Sequence, residues 1–257
     1  MGLLSSQKVN QSRIENINMK NQRFSLLTTT LLLTSWSVSV ALPGDTVTFS
    51  TPKGASGAPR QETTGGATRN NGACLSNAHA SKDTVTPLVP NTRLGLTVSE
   101  RPTFFVYVPQ TTAKEATFSL QDASRNLIYR TKVALRETGG VIRITVPETV
   151  KALEMDNDYR WVVEIHCIAD LDPDNPFAEG WVRRTSVNAN LAGKLETAKT
   201  SLERATAYSQ EGIWYEALEN MADAVRSQPQ DSTRIKSWEE LLTSVGLQAI
   251  AKRPLTL

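Results

Sequence analysis

Three aspartates at alternate positions are the residues whose spacing most directly suggests chemistry. Asp170, Asp172 and Asp174 lie in the segment DLDPDNPFAEG, and carboxylates spaced in this way are typical of calcium-binding loops. An EF-hand loop would need a glycine where Asn175 stands and a bidentate glutamate where Trp181 stands. The segment remains a calcium candidate, and a solvated loop between two strands is the alternative interpretation.

The same carboxylates, together with Glu179, could serve a hydrolase or transferase, because two carboxyl groups can act as general acid and general base. Their spacing in the sequence does not show whether they lie near one another in the fold. The sequence contains no Gly-x-Ser-x-Gly, His-Glu-x-x-His or Cys-x-x-Cys motif. We therefore expect no catalytic residue and no cofactor, and keep a carboxylate-dependent enzyme acting on an envelope component as the alternative.

Export is predicted from the segment MKNQRFSLLTTTLLLTSWSVSVALPGD, which begins at Met19. It has a basic region, an apolar stretch and a small-x-small cleavage site ending at Ala41, which is the layout of a secretory signal peptide. Residues 1–41 are therefore predicted to be a signal peptide, with Met19 as an alternative start. A membrane anchor is the other interpretation, which the many Ser and Thr residues of the apolar stretch disfavour.

The mature chain is expected to be slightly acidic. Of the 28 basic and 26 acidic residues, residues 1–41 hold four basic and one acidic, so their removal leaves a net charge of −1. Nucleic-acid binding needs a concentrated basic surface, and no run of Lys and Arg provides one. We expect a periplasmic or extracellular protein whose partner is an envelope protein or polymer, without nucleic acid and without a transmembrane segment after cleavage.

Cys74 and Cys167 are the two cysteines of the sequence. An even number in an exported protein favours a disulfide, and two free thiols are the alternative. Cys167 is expected on the core-facing side of the strand segment DYRWVVEIHCI, and Cys74 lies in a glycine-rich segment without a hydrophobic period. Because adjacent strand residues face opposite sides, His166 and Cys167 cannot form a nucleophile–base pair.

Short strands are expected to position the carboxylates and cysteines named above. Residues 42–87 are rich in Gly, Ser, Thr and Pro and are predicted to be a disordered leader. Residues 88–188 contain seven strand segments separated by turn signals, which predict an α+β chain with an antiparallel immunoglobulin-like β-sandwich. The segments are LGLTV, TFFVYVP, ATFSLQD, NLIYRTKVAL, GVIRITVP, DYRWVVEIHCI and GWVRRTSV.

One local pattern within the sandwich involves Leu153 and Tyr159, which stand six residues apart at the start of a strand. The pattern resembles the tyrosine corner of fibronectin type III and immunoglobulin-like domains, in which the tyrosine hydroxyl bonds to upstream backbone. Met155 stands where a proline is often found. An ordinary aromatic residue at a strand start is the alternative.

A helical period follows over residues 189–250 and predicts a helical hairpin plus a third helix, docked on the sandwich. The first helix is expected to run to about Gln210 and the second from about Trp214. Tyr208, Ala217 and Pro229 match positions of the tetratricopeptide pattern. Because a repeat array needs several units and the sequence has one, the hairpin is expected to bury its apolar side on the third helix and on the sandwich.

The order of these parts is similar to an exported cyanobacterial family grouped as domain of unknown function 928. The residues that carry the resemblance are GAPRQETTGGATRNNGAC, LVPNTRLGLTVSERPTFFVYVP, YRWVVEIHC, EGWVRR and GIWYEAL…LLTSVGL. The family has no established activity, so the resemblance implies export and a fold but no reaction. The sequence therefore predicts an exported, non-catalytic binding or structural module.

Overall fold

Two β-sheets and four α-helices make up the part of the chain that the computed structural model describes, residues 46–52, 74–75, 83–168 and 172–256. The predicted signal peptide, most of the predicted leader and Asp170 lie outside these residues. The elements in chain order are β1 (Thr86–Pro87), β2 (Leu94–Thr97), β3 (Thr103–Val108), β4 (Glu115–Asp122), β5 (Leu127–Ala134), β6 (Gly140–Thr145), β7 (Asp158–Ile165), β8 (Phe177–Arg184), α1 (Ala189–Thr197), α2 (Ser201–Gln210), α3 (Trp214–Ser227) and α4 (Ser232–Ser244).

The strands form a three-stranded sheet in the order β1-β3-β6 and a five-stranded sheet in the order β2-β8-β7-β4-β5. The seven predicted strand segments correspond to β2–β8, so the α+β class is confirmed. The expectation of purely antiparallel pairing is wrong at one edge, where β2 runs parallel to β8 with Leu94 opposite Trp181. Side-chain alternation within a strand reports which residues are buried but not the direction of the neighbouring strand.

Aromatic side chains from both sheets meet in the core. The ring of Phe104 on β3 lies 5.2 Å from Phe118 on β4 and 5.3 Å from Trp161 on β7. Tyr215 on α3 packs edge-on against the same Phe104 ring, with 5.3 Å between centroids. Helix α3 therefore lies beside β3 and covers the same face of the five-stranded sheet.

Three pieces of the predicted disordered leader are packed into the fold, which corrects that expectation for residues 46–52, 74–75 and 83–87. Val47 is 1% exposed, and Phe49 contacts the Trp214 ring edge-on at 5.0 Å. The Ser50 N–H donates to the Ser209 carbonyl oxygen at 3.0 Å, and Thr86 and Pro87 form β1. Single apolar residues in a polar segment show no hydrophobic period, so their burial could not be predicted from the segment alone. It depends on the distant residues against which they pack.

The helical segment contains four helices rather than the predicted three. The predicted first helix is divided at residues 198–200: Ala198 is extended, and α2 begins after a new N-cap, Thr200. The Thr200 hydroxyl accepts from the Glu203 N–H while the Glu203 carboxylate accepts from the Thr200 N–H, which is a capping box. This reciprocal pair satisfies two backbone donors and so favours a second helix start over continuation.

Within the described residues, no helix has both the length and the apolar character needed to cross a membrane.

Candidate functional site

Asn175 holds the described part of the acidic loop against the end of β7. Asn175 is 1% exposed, and its Oδ1 accepts from the Cys167 and Ile168 N–H groups at 3.0 and 3.1 Å. The Asp172 carboxylate accepts from the Asp174 N–H at 2.9 Å, so it closes the turn. Among the described residues, no group of three or more His, Cys, Asp or Glu side chains could hold a metal ion. The calcium hypothesis stays untested, because it needs Asp170.

Glu179 lies on the outer face of β8 and is held by an internal ion pair. Its Oε2 accepts from Nε of Arg160 at 2.8 Å and also from Nη2 of that side chain. Another nitrogen of Arg160 donates to Gln121 at 3.0 Å. Among the described residues, no hydrogen bond joins Glu179 to Asp172 or Asp174.

Cys74 and Cys167 form the predicted disulfide, with 5.2 Å between their Cα atoms. The Cys74 carbonyl oxygen accepts from the Thr111 hydroxyl and the Thr112 N–H, both at 2.9 Å. Cys167 lies in the bend after β7, which ends at Ile165, rather than on the strand as predicted. It is half-buried and packs against the core, and Cys74 is the more buried partner. The bond joins residues 74–75 to the end of the five-stranded sheet.

His166 contributes to a shallow groove of about 330 Å³ beside the disulfide. Its Nε2 lies 2.8 Å from the Thr117 hydroxyl on β4, so the ring lies on the outer face of the five-stranded sheet. The imidazole therefore contacts a hydroxyl rather than a thiol, which agrees with the alternation argument from the sequence.

The first turn of α3 makes several buried polar contacts with both sheets. The Trp214 indole N–H donates to the Leu88 carbonyl oxygen at 2.8 Å, and this side chain is fully buried. The Tyr215 hydroxyl accepts from the Trp161 indole N–H at 2.8 Å and donates to the Trp181 carbonyl oxygen at 2.9 Å. Burial raises the pKa of the Tyr215 hydroxyl far above its usual range, so it stays a donor.

Gly95 on β2 makes this approach of α3 possible. A Cβ at this position would lie 2.7 Å from Cε2 of Tyr215 and 3.0 Å from Cδ1 of Trp214. Both atoms belong to fully buried rings that cannot move aside without opening the core. The Trp214 and Tyr215 rings therefore pack over the one residue of β2 that lacks a side chain.

Glu216 is the buried carboxyl group that follows these two aromatic residues. Its Oε1 accepts from the Thr97 hydroxyl and from the Val98 and Ser99 N–H groups, the latter two at 3.2 and 3.0 Å. Its other oxygen, Oε2, is buried without a hydrogen-bond partner among the described residues. Burial raises the pKa of Glu216 despite these donors. Sequence reasoning missed this residue, although a lone Glu among apolar neighbours in WYEAL was a signal.

Later turns of α3 bind the three-stranded sheet through a charged cluster. Arg143 on β6 donates to Glu219 and, at 2.8 Å, to Asp223. The Thr103 hydroxyl on β3 donates to the same Glu219 oxygen at 2.8 Å. Helix α3 is thus joined to both sheets, and its Glu219 and Asp223 side chains stabilise the contact with the three-stranded sheet.

The remaining structural residues singled out from the sequence are placed as follows. The Tyr159 hydroxyl accepts from the Glu154 N–H at 2.9 Å beside the buried Leu153, which is the local contact expected of a tyrosine corner. Ala217 is fully buried on α3, and Pro229 follows the end of this helix. Tyr208 is half-buried in a small cluster with Leu191 on α1, rather than only between the two helices of the hairpin.

Two larger grooves remain on the described surface. A polar groove of about 370 Å³ lies beside Tyr159 and is lined by Asp122, Lys151 and Glu154. A second groove of about 430 Å³ runs between α1, α2 and α4, with Leu202 and Ala207 in its floor and Lys194 and Glu203 in its lining.

Comparisons with known proteins give one strong result. Among curated proteins, none matches this chain. One similar solved structure is an FMN-binding beta-glucuronidase from Facaelibacterium prausnitzii L2-6, which is 11% identical, with a TM-score of 0.24 over 63% of this chain and 32% of that chain. Another is a glycosyl hydrolase family 2 member from Bacteroides cellulosilyticus DSM 14838, also 11% identical, with a TM-score of 0.23 over 58% of this chain and 30% of that chain. The chain thus spans about a third of each of these proteins, and likeness at this level carries no argument. The family described as Domain of Unknown Function (DUF928) matches residues 64–255, which is most of the sequence. The chain therefore belongs to the DUF928 family, as the resemblance predicted.

Proposed function

We propose that this chain is an exported, non-catalytic module that binds or supports another component of the cell envelope. In this proposal the two sheets act as an immunoglobulin-like sandwich, and the tetratricopeptide-like hairpin and the helix after it form a three-helix buttress. The periplasmic or extracellular address, the cleaved signal peptide and the cyanobacterial origin implied by the resemblance belong to the same proposal.

The Cys74–Cys167 disulfide is the observation that carries this proposal. Disulfides persist in oxidising compartments outside the cytosol and are rare within it. The bond spans 93 residues and links a segment near the start of the family match to the five-stranded sheet. A protein that relies on such a bond is suited to the periplasm or the cell exterior.

The structural contacts of these carboxyl groups favour a non-catalytic role. Glu179 pairs with Arg160, and one oxygen of Glu216 accepts from donors at the end of β2. Asp172 closes its own turn. These carboxyl groups hold the fold together, whereas a general acid or base must reach a substrate.

Export is tested by fractionating cells that express the full chain with a C-terminal tag. Thiols are blocked before lysis, and the matched control lacks residues 19–41. We expect the full chain outside the cytosol, beginning at Leu42, with both cysteines protected until reduction. A cytosolic product with two reactive thiols, or a mature protein that retains Phe24–Val40, would contradict the proposal.

The binding role is tested with the purified, unreduced mature chain immobilised and exposed to the envelope fraction. The control is the same protein unfolded and reduced before coupling. We expect a component retained by the folded chain alone. Release of soluble fragments from isolated envelope by the wild-type protein, but not by an Asp172→Asn or Glu179→Gln variant, would instead favour the carboxylate-dependent hydrolase or transferase.

A further inference from the structure

Strand β5 is an open edge of the five-stranded sheet. Its eight residues pair with β4 on one side, and no other described strand lies beside it. The far edge of an outermost strand presents a row of backbone donors and acceptors that can pair with another chain. The length of β5 is enough for an added strand of ordinary size.

The register of β4 and β5 identifies which backbone groups face the open side. The Leu135 N–H donates to the Lys114 carbonyl oxygen at 2.9 Å, so this pair is hydrogen-bonded within the ladder. In antiparallel pairing, hydrogen-bonded and non-hydrogen-bonded pairs alternate. Thr131 and Val133 therefore bond to β4. The backbone N–H and carbonyl groups of Arg130, Lys132 and Ala134 face the open side.

The two faces of β5 differ in character. Tyr129 and Val133 point inward, are half-buried and pack against the hydrophobic core. Arg130, Lys132 and Ala134 point to the outer face and are exposed. A strand added beside β5 would extend the core with its inward side chains and meet the cations with its outward ones.

Charge selects the kind of chain that fits this edge. Residues 125–136, RNLIYRTKVALR, contain four basic residues and no acidic one. Lys132 pairs with Glu115 at 3.0 Å, and Nε of Arg130 donates to Ser119 at 3.2 Å, so both side chains lie over the outer face. A second copy of β5 would place cations opposite cations, which destabilises a strand pair. An acidic chain would not.

We propose that the open edge of β5 takes an extended acidic segment of a partner protein as a sixth strand. The segment alternates carboxylate side chains, which face Arg130 and Lys132, with apolar side chains, which face Tyr129 and Val133. Backbone hydrogen bonds supply affinity and the alternating side chains supply specificity, as in other cases of strand addition. The inference rests on the proposed binding function and names the partner's chemistry.

The test uses the disulfide-intact mature chain and a fluorescent eight-residue peptide of alternating Glu and Val, followed by anisotropy. The Ala134→Pro variant removes a donor on the open side and leaves every β4 bond in place, and proline is tolerated at such edge positions. Ala134→Ser, which keeps the N–H, is the matched control. We expect saturable binding by the wild type and the Ala134→Ser variant, and binding weaker by roughly tenfold or more in Ala134→Pro.

A second set of probes makes the result independent of how the variant folds. The same peptide with N-methyl groups on its β5-facing amides should lose binding to the wild type, and a peptide with Lys in place of Glu should not bind. Equal binding of any of these probes, or no binding of the acidic peptide, overturns the inference. Dextran sulfate that binds equally to the wild type and to Ala134→Pro, and displaces the peptide from both, would reduce the edge to a cationic surface and also overturn it.

Self-association of the wild type that Ala134→Pro abolishes would assign the edge to a second copy and contradict the proposal. The peptide experiment and the envelope-retention experiment distinguish failure of this inference from failure of the proposed function. If the peptide fails to bind but the immobilised chain still retains an envelope component, only the inference about β5 is wrong. If both experiments fail, the binding function itself is wrong.

Discussion

Replacement of Trp214 by Ala is expected to destabilise the sheets as well as the helices. The indole is fully buried, donates to Leu88 at 2.8 Å and contacts Phe49 edge-on at 5.0 Å. Truncation of a buried Trp to Ala typically costs about 3–5 kcal/mol, because transfer energy is lost and a cavity remains. Since small domains have total stabilities of roughly 5–15 kcal/mol, this loss is a large fraction of the whole.

The matched variant Trp214→Phe separates packing from hydrogen bonding. It keeps an aromatic ring in the site but leaves the Leu88 carbonyl oxygen without its buried donor, at a cost of about 1–3 kcal/mol. Urea unfolding followed by circular dichroism gives the free energies of the three proteins. Hydrogen exchange with mass spectrometry then reports the opening free energy of the β3 and β7 amides, which lie far along the chain from the substitution.

We expect one cooperative transition in each protein, with β3 and β7 protection lowered in step with the global stability. Two separate transitions, in which the sheet signal of Trp214→Ala keeps the wild-type midpoint, would refute the reasoning. An isolated 88–188 fragment that folds with undiminished stability would do the same. In either case α3 would be an appendage rather than part of the core.

Two further predictions concern pH and redox state. Burial raises the pKa of Glu216 in the folded state, so just above the usual Glu pKa the folded chain binds more protons than the unfolded chain, and wild-type stability should fall as pH rises. The Glu216→Gln variant, measured by urea unfolding between pH 4 and 8, should lack this fall. A wild type that gains stability relative to the variant with rising pH would contradict the assignment. Reduction of the 93-residue disulfide loop should lower the free energy of unfolding by about 4–5 kcal/mol in chain-entropy models. Urea midpoints are compared with and without reductant, and the Cys74→Ser/Cys167→Ser double variant is the control. Unchanged midpoints would show that the disulfide does not stabilise the fold.

Features that depend on neighbouring residues alone were predictable from the sequence. Strands β2–β8 follow from alternation between turn signals, and the start of α3 at Trp214 follows from the glycine that precedes it at position 212. The Asp231 cap of α4 and the Asn188 cap of α1 are features of this local kind, because a capping side chain acts on backbone two or three residues away.

Features that depend on distant partners were not predictable. The burial of Val47 and Phe49 and the parallel placement of β2 are set by contacts with segments far along the chain. The candidate site shows the same division. Cys74 and Cys167 could be paired because the chain has only two cysteines, whereas Glu216 and its donors at the end of β2 are more than a hundred residues apart.

The first turn of α3 is held by three side chains that contact different parts of the sheets. Consecutive helical residues point about 100° apart, so Trp214, Tyr215 and Glu216 project in three directions. Their partners lie respectively at the end of β1, between β7 and β8, and at the end of β2. The first turn is therefore surrounded by sheet residues. Under the proposed binding role a partner would use other surfaces, and the open edge of β5 is one described surface at which backbone N–H and carbonyl groups face outward.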